Sequence, residues 1–109
     1  MCRQQNLPRP EPQYVVRDEH GHVFARVDFA WPEEGVFLEF DGRIKYERYR
    51  REGETLEEYV MREKRREERI CQLTGWVCIR IGWADLEDPV ATSARIRRLL
   101  DSRRRPVGA

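Results

Sequence analysis

Arg26-Val27-Asp28-Phe29-Ala30-Trp31-Pro32-Glu33-Glu34-Gly35-Val36-Phe37-Leu38-Glu39-Phe40-Asp41-Gly42 is the stretch from which the rest of the chain can be read. Two runs rich in aromatic and β-branched residues flank a Pro-Glu-Glu-Gly segment, which reads as a hairpin with its loop over residues 32–35. That loop length sets a register with Trp31 opposite Val36, Asp28 opposite Glu39 and Arg26 opposite Asp41. Side chains alternate along a strand, so Glu39 and Asp41 fall on one face, between apolar neighbours. Directly opposed residues have Cβ atoms about 4.5–5.5 Å apart, and like charges there repel. The polar quartet therefore needs an explanation.

Two remain open from these residues. Arg26 can neutralise Asp41 and bridge the other carboxylates in a salt-bridge ladder. Alternatively, Asp28 and Glu39 share a divalent cation. Oxygen donors suit Mg²⁺, which is commonly held by one or two carboxylates with waters and substrate phosphate completing its shell.

Working outward, residues 13–17 (QYVVR) and 22–30 (HVFARVDFA) read as strands joined by a turn, and residues 36–41 (VFLEFD) as a third. His20-Gly21-His22 reads as part of that turn rather than as a metal site. After a charged connection, Thr55-Leu56-Glu57-Glu58 matches a capping box, opening a helix that runs to about Thr74, with Gly75 as its stop. Leu56, Tyr59, Val60, Ile70 and Thr74 form its apolar stripe, with Glu63 and Glu67 in the middle. Those carboxylates need partners. Arg66, Arg80 or the arginines near Tyr46 can supply them, or this turn closes over the acidic cluster and orients Lys64. Residues 76–81 (WVCIRI) read as a fourth strand, and Asp88-Pro89 opens a last helix through about Arg104.

The expected fold is α/β: a mixed four-stranded sheet in the order β-β-β-α-β-α. At 109 residues it is one domain, over residues 13–104, with an extended lead-in at 1–12 and a flexible tail at 105–109. No apolar run approaches the roughly 20 residues that span a bilayer, and no signal-peptide pattern opens the chain, so a cytoplasmic protein with no membrane partner is expected. Cys2, Cys71 and Cys78 are odd in number and without CxxC spacing, which argues against a disulfide framework or zinc. Cys71 and Cys78 read as buried small hydrophobes. The net charge is only +1, but residues 43–52 carry five cations against two anions, and residues 95–105 six against one. Such runs are either phosphate-binding patches or solvated faces.

Asp28, the Glu39-x-Asp41-Gly42 run and Lys45-Tyr46 together resemble the active-site signature of the very short patch repair endonuclease branch of the PD-(D/E)XK restriction-endonuclease-like superfamily. Glu63-Lys64-Arg65-Arg66-Glu67, Gly75-Trp76, Arg80 and Trp83-Ala84-Asp85-Leu86 are similar to uncharacterised small members of that group, so the likeness covers about residues 7–100. It implies a restriction-endonuclease-like fold with the usual first helix missing, and a Mg²⁺- or Mn²⁺-dependent endonuclease that hydrolyses DNA phosphodiesters as a monomer or a homodimer. Asp28 and Glu39 would bind the metal, Asp41 would be a further acidic group, and Lys45 would stabilise charge on the phosphate. Arg43, Arg48, Arg50, Arg51 and Lys64, with the C-terminal arginines, would hold the DNA backbone. The third strand ends Glu-Phe-Asp, so the lysine of the usual E-x-K is missing from its strand position. Only Lys45 and Lys64 are lysines among 21 basic residues, and both fall within the quoted motifs. Two alternatives are a catalytically inactive DNA-binding module of a defence or toxin–antitoxin system, and a protein-interaction domain.

Replacing Arg48, Arg50 and Arg51 together by alanine is expected to weaken DNA binding and to flatten its salt dependence by up to about one unit of slope per lost phosphate contact. A fluorescence titration at several salt concentrations measures this; an unchanged slope would make the basic loop a solvated connection only.

Overall fold

The computed structural model describes residues 7–41 and 50–104. The hairpin forms in the expected register: β2 (Val23–Trp31) pairs antiparallel with β3 (Val36–Phe40), Trp31 opposite Val36. Gly35 closes the loop with φ +70°, a conformation that costs glycine little, and its N–H donates to the Trp31 carbonyl at 2.9 Å. β1 (Glu11–Arg17) lies antiparallel on the other side of β2. Its turn is held by Asp18, whose carboxylate accepts from the N–H groups of His20 and His22, both at 2.9 Å. That bonding makes the His-Gly-His segment part of the turn, as expected.

Helix α1 (Leu56–Thr74) follows, then β4 (Val77–Ile81), a short helix α2 (Trp83–Glu87) and α3 (Pro89–Arg104). β4 is parallel to β3, a pairing that needs a long crossover, and α1 supplies it. The sheet order is β1-β2-β3-β4. The fold is thus α/β with a four-stranded mixed sheet, as expected, except that α2 is an added helical turn. Asp85 stabilises that turn by accepting from the Gly82 N–H at 2.8 Å, and Trp83 stands edge-on to Phe40 with ring centroids 5.1 Å apart.

A helix packs on each face of the sheet. On one, Trp31, Val36, Leu38, Ile79 and Ile81 pack against Ile96 and Leu100 of α3. On the other, Val16, Val27, Ala30 and Phe37 pack against Ile70 of α1. Leu7 joins the α3-side core and the Pro8 carbonyl accepts the Trp31 indole N–H at 2.8 Å. The end of the lead-in is therefore fastened, and β1 begins at Glu11 rather than at residue 13. A buried indole N–H needs an acceptor, and this segment provides it.

The capping box at Thr55 and Glu58 forms reciprocally, and Gly75 ends α1 with φ +74°. The expected apolar stripe is only half right. Tyr59 and Ile70 are buried, whereas Leu56 and Val60 are exposed, because the first turns of α1 overhang a charged cleft rather than apolar sheet. Cys71 and Cys78 are free thiols, half-buried against the α1-side core, and burial raises the pKa of both.

Thr55→Ala removes the side-chain acceptor for the Glu58 N–H (3.1 Å) and is expected to cost about 1 kcal/mol. Urea unfolding of the two proteins checks it, with the midpoint lowered and the slope unchanged.

Candidate acidic cleft

The hairpin alternation breaks at Asp28, and the break shapes the site. Val27 and Ala30 are both buried in the α1-side core although three positions separate them, which strict alternation forbids. The β1–β2 pairing passes from Pro12↔Phe29 to Tyr14↔Val27 without a Gln13↔Asp28 pair, and Gln13 adopts φ 50°. The β2–β3 pairing stops at Phe29↔Leu38. Beyond it, the Asp28 carboxylate accepts the Phe40 N–H at 2.7 Å, so a side chain takes over where the ladder ends. The expected opposition of Asp28 and Glu39, and of Arg26 and Asp41, as paired strand residues therefore does not form. The carboxylate competes successfully for the backbone donor, and the strands part.

Where they part lies a cleft of about 690 Å³, roofed by α1. Asp28, Glu39, Asp41, Arg26 and Arg80 line it from the sheet, and Tyr59, Arg62, Glu63, Lys64, Arg66 and Glu67 from the helix. The helical contributors recur at three- and four-residue steps, which put them on one face of α1. Five carboxylates meet five cations, a lining with no net charge.

Glu39 is almost wholly enclosed, its side chain 4% exposed, and Arg66 Nη1 lies 2.5 Å from its Oε1. Arg66 Nη2 also donates to the Arg26 carbonyl at 3.0 Å, and Nη1 stands 3.7 Å from Glu63 Oε2. Arg80 donates to Glu67 at 2.5 Å and lies 4.0 Å from Asp41. Glu67–Arg80 and Glu63–Arg66 are pairings the sequence suggests; the claim of Glu39 on Arg66 is not. Among the described residues, no ion pair joins Arg26 to Asp41; Arg66 from α1 and Arg80 from β4 pair with the carboxylates instead. Burial, with Glu63 nearby, raises the pKa of Tyr59 beside these groups.

Asp28, Glu39, Asp41 and Lys64 thus come together at one cleft. Lys45, Arg43 and Arg48 lie outside the described residues. Arg50 and Arg51 are exposed at the start of the segment leading into α1, where Arg50 donates to the Glu54 carbonyl at 3.3 Å. Three of the C-terminal arginines, Arg95, Arg103 and Arg104, are engaged within the protein. Arg104 pairs with buried Glu34 at 2.5 Å, Arg103 donates to the Glu34 and Gly75 carbonyls, and Arg95 reaches Asp85 and the Arg80 carbonyl. These three brace the hairpin turn and the α2 turn. Two features had no sequence signal: the Arg62–Glu54 bond at 3.0 Å, and Gln13 at the cleft edge.

Two hard carboxylates on one wall are the donor type that a largely hydrated Mg²⁺ takes. Among the described residues, no set of three or more His, Cys, Asp or Glu side chains forms a group that could hold a metal ion, so a fully chelated ion does not fit. No helix among them is long and apolar enough to cross a membrane. In comparisons with known proteins, no family model, curated sequence or solved structure matches the chain.

The bond to Arg62, reinforced by the Arg51 N–H, lowers the Glu54 carboxyl from 4.5 to about 2. A carboxyl depressed on folding contributes stability that is complete above its unfolded pKa and lost as pH falls through the folded one. Glu54→Gln should therefore narrow the stability gap to the parent between about pH 4.5 and 2, and leave it constant above. Unfolding midpoints across that range measure the gap.

Proposed function

We propose that this protein is a metal-dependent DNA endonuclease with a restriction-endonuclease-like fold. The observation that carries the reading is the convergence of Asp28, Glu39 and Asp41 on one cleft beside cationic side chains. Hydrolysis of a phosphodiester needs acids that hold a hard cation and cations that hold the phosphate. The mixed sheet and its flanking helices are compatible with the proposed fold.

In this reading Asp28 and Glu39 hold Mg²⁺ or Mn²⁺, which when bound supplies an acidified water and offsets charge on the phosphate. Asp28 is oriented by the Phe40 N–H, and Glu39 is fixed on a strand with an enclosed side chain. Asp41, exposed at the strand end, faces the incoming backbone or a water. Lys64 on the helix wall, and Lys45, are the proposed phosphate contacts, with Arg50 and Arg51 tracking the DNA backbone without reading bases. The proposed surroundings are the cytoplasm.

One observation favours a second reading, a nuclease-fold DNA-binding module without catalysis. The Glu39 carboxylate already accepts from Arg66, and Asp28 from a backbone N–H.

Thermal melts decide between them. A cation that binds only the folded state stabilises it by RT ln(1 + [L]/Kd), about 2.7 kcal/mol at a hundredfold excess. The endonuclease should melt higher in Mg²⁺ or Mn²⁺ and nick plasmid DNA. Asp28→Asn keeps an oxygen acceptor for Phe40 N–H, so the metal-free variant should stay about as stable while losing both responses. A parent indifferent to metal and unable to nick DNA would leave only the binding module.

A further inference from the structure

We propose that Arg66 is an exchangeable counter-ion: it neutralises Glu39 while the cleft is empty and transfers to a DNA phosphate when a cation arrives, so that metal and DNA bind cooperatively. The proposal rests on the endonuclease reading and adds to it a positioning residue.

Glu39 sits on a central strand with its carboxylate enclosed, and an enclosed charge requires a partner. Arg66 is such a partner now. Its guanidinium is held by one edge on Glu39 and by the other on the Arg26 carbonyl. Its side chain remains 27% exposed, within the cleft that DNA would enter. A divalent ion on Glu39 would place a second positive charge against the guanidinium, and the two cannot share the carboxylate without strong repulsion. Arg66 has somewhere to go. Glu63 lies one turn back on the same helix, 3.7 Å from Nη1, so a modest rotamer change retains an anionic neighbour.

The released guanidinium presents a planar fork, the group best matched to phosphate. Both ligands then select the same state, with Arg66 off Glu39. Ligands that favour a common state raise each other's affinity by the same factor. Arg80 cannot play this part, because its short contact is with Glu67 on the helix rather than with a proposed metal ligand.

The test is the sign of an effect. Mn²⁺ binding is measured by electron paramagnetic resonance without DNA, for the parent, Arg66→Gln, Arg66→Lys and Glu39→Gln. Losing a competing counter-ion should tighten Mn²⁺ binding in Arg66→Gln by about tenfold, within the usual range of coupling between sites. A merely structural arginine would weaken it. Arg66→Lys, which keeps the charge but not the fork, should fold even if Arg66→Gln does not, and should bind Mn²⁺ like the parent. Glu39→Gln should lose Mn²⁺ binding. Duplex affinity by fluorescence anisotropy in Ca²⁺ against EDTA should rise at least about fivefold in the parent and much less in either Arg66 variant. Unchanged or weaker Mn²⁺ binding in Arg66→Gln overturns the proposal. So does a parent-like DNA–metal coupling in Arg66→Lys. If the parent binds Mn²⁺ and nicks DNA while these results fail, only the role of Arg66 falls; if the parent binds no Mn²⁺, the endonuclease reading falls with it.

Discussion

One hydrogen bond, from the Phe40 N–H to the Asp28 carboxylate, governs the shape of the molecule's polar half. A backbone donor at the end of a sheet must find an acceptor, and here a side chain supplies it in place of the neighbouring strand. Because Asp28 is so engaged, β2 and β3 stop pairing after Phe29↔Leu38. At the same place Gln13 takes a positive φ and Val27 comes onto the α1-side core. The sheet is therefore regular and apolar at one end and open and charged at the other, with α1 lying across both.

That division explains how a chain with 38% charged residues keeps a core. Ile70 anchors the C-terminal half of α1 to Phe37, Ala30 and Val27, while α3 seals the opposite face through Ile96 and Leu100. The hairpin turn is braced by Arg103 and Arg104, so the basic C-terminus serves the fold at the very loop that sets the register. An enclosed carboxylate requires a cation beside it, so Glu34 depends on Arg104 and, while the cleft is empty, Glu39 depends on Arg66. In the cleft, the same rule sets a tension. The carboxylates suited to a cation are the ones the fold has had to neutralise.

Much of this was legible in the residues. The strands, the long helix and its caps follow from local chemistry: apolar alternation, a Thr-x-x-Glu box, a glycine after the last turn, an Asp-Pro start. The loop at residues 32–35 determined Trp31↔Val36, and with it the membership of Glu39 and Asp41 in the α1 face. The added helix at Trp83–Glu87 escaped because so short a segment carries too little periodicity to be distinguished from a turn.

By itself, then, the sequence determined the class of fold, the order of its elements and the gathering of acidic side chains toward one face, since each depends on neighbours within a few positions. Only the tertiary structure decided the break at Asp28, the choice of Arg66 by Glu39 and the contacts of Arg103 and Arg104 with the hairpin turn. Those depend on which of several equivalent cations is brought within reach of an enclosed carboxylate. The chain holds 21 basic and 20 acidic residues, and composition cannot rank the pairings among them. Distance and burial do, because an ion pair in a half-enclosed site is far less screened than the same pair in water.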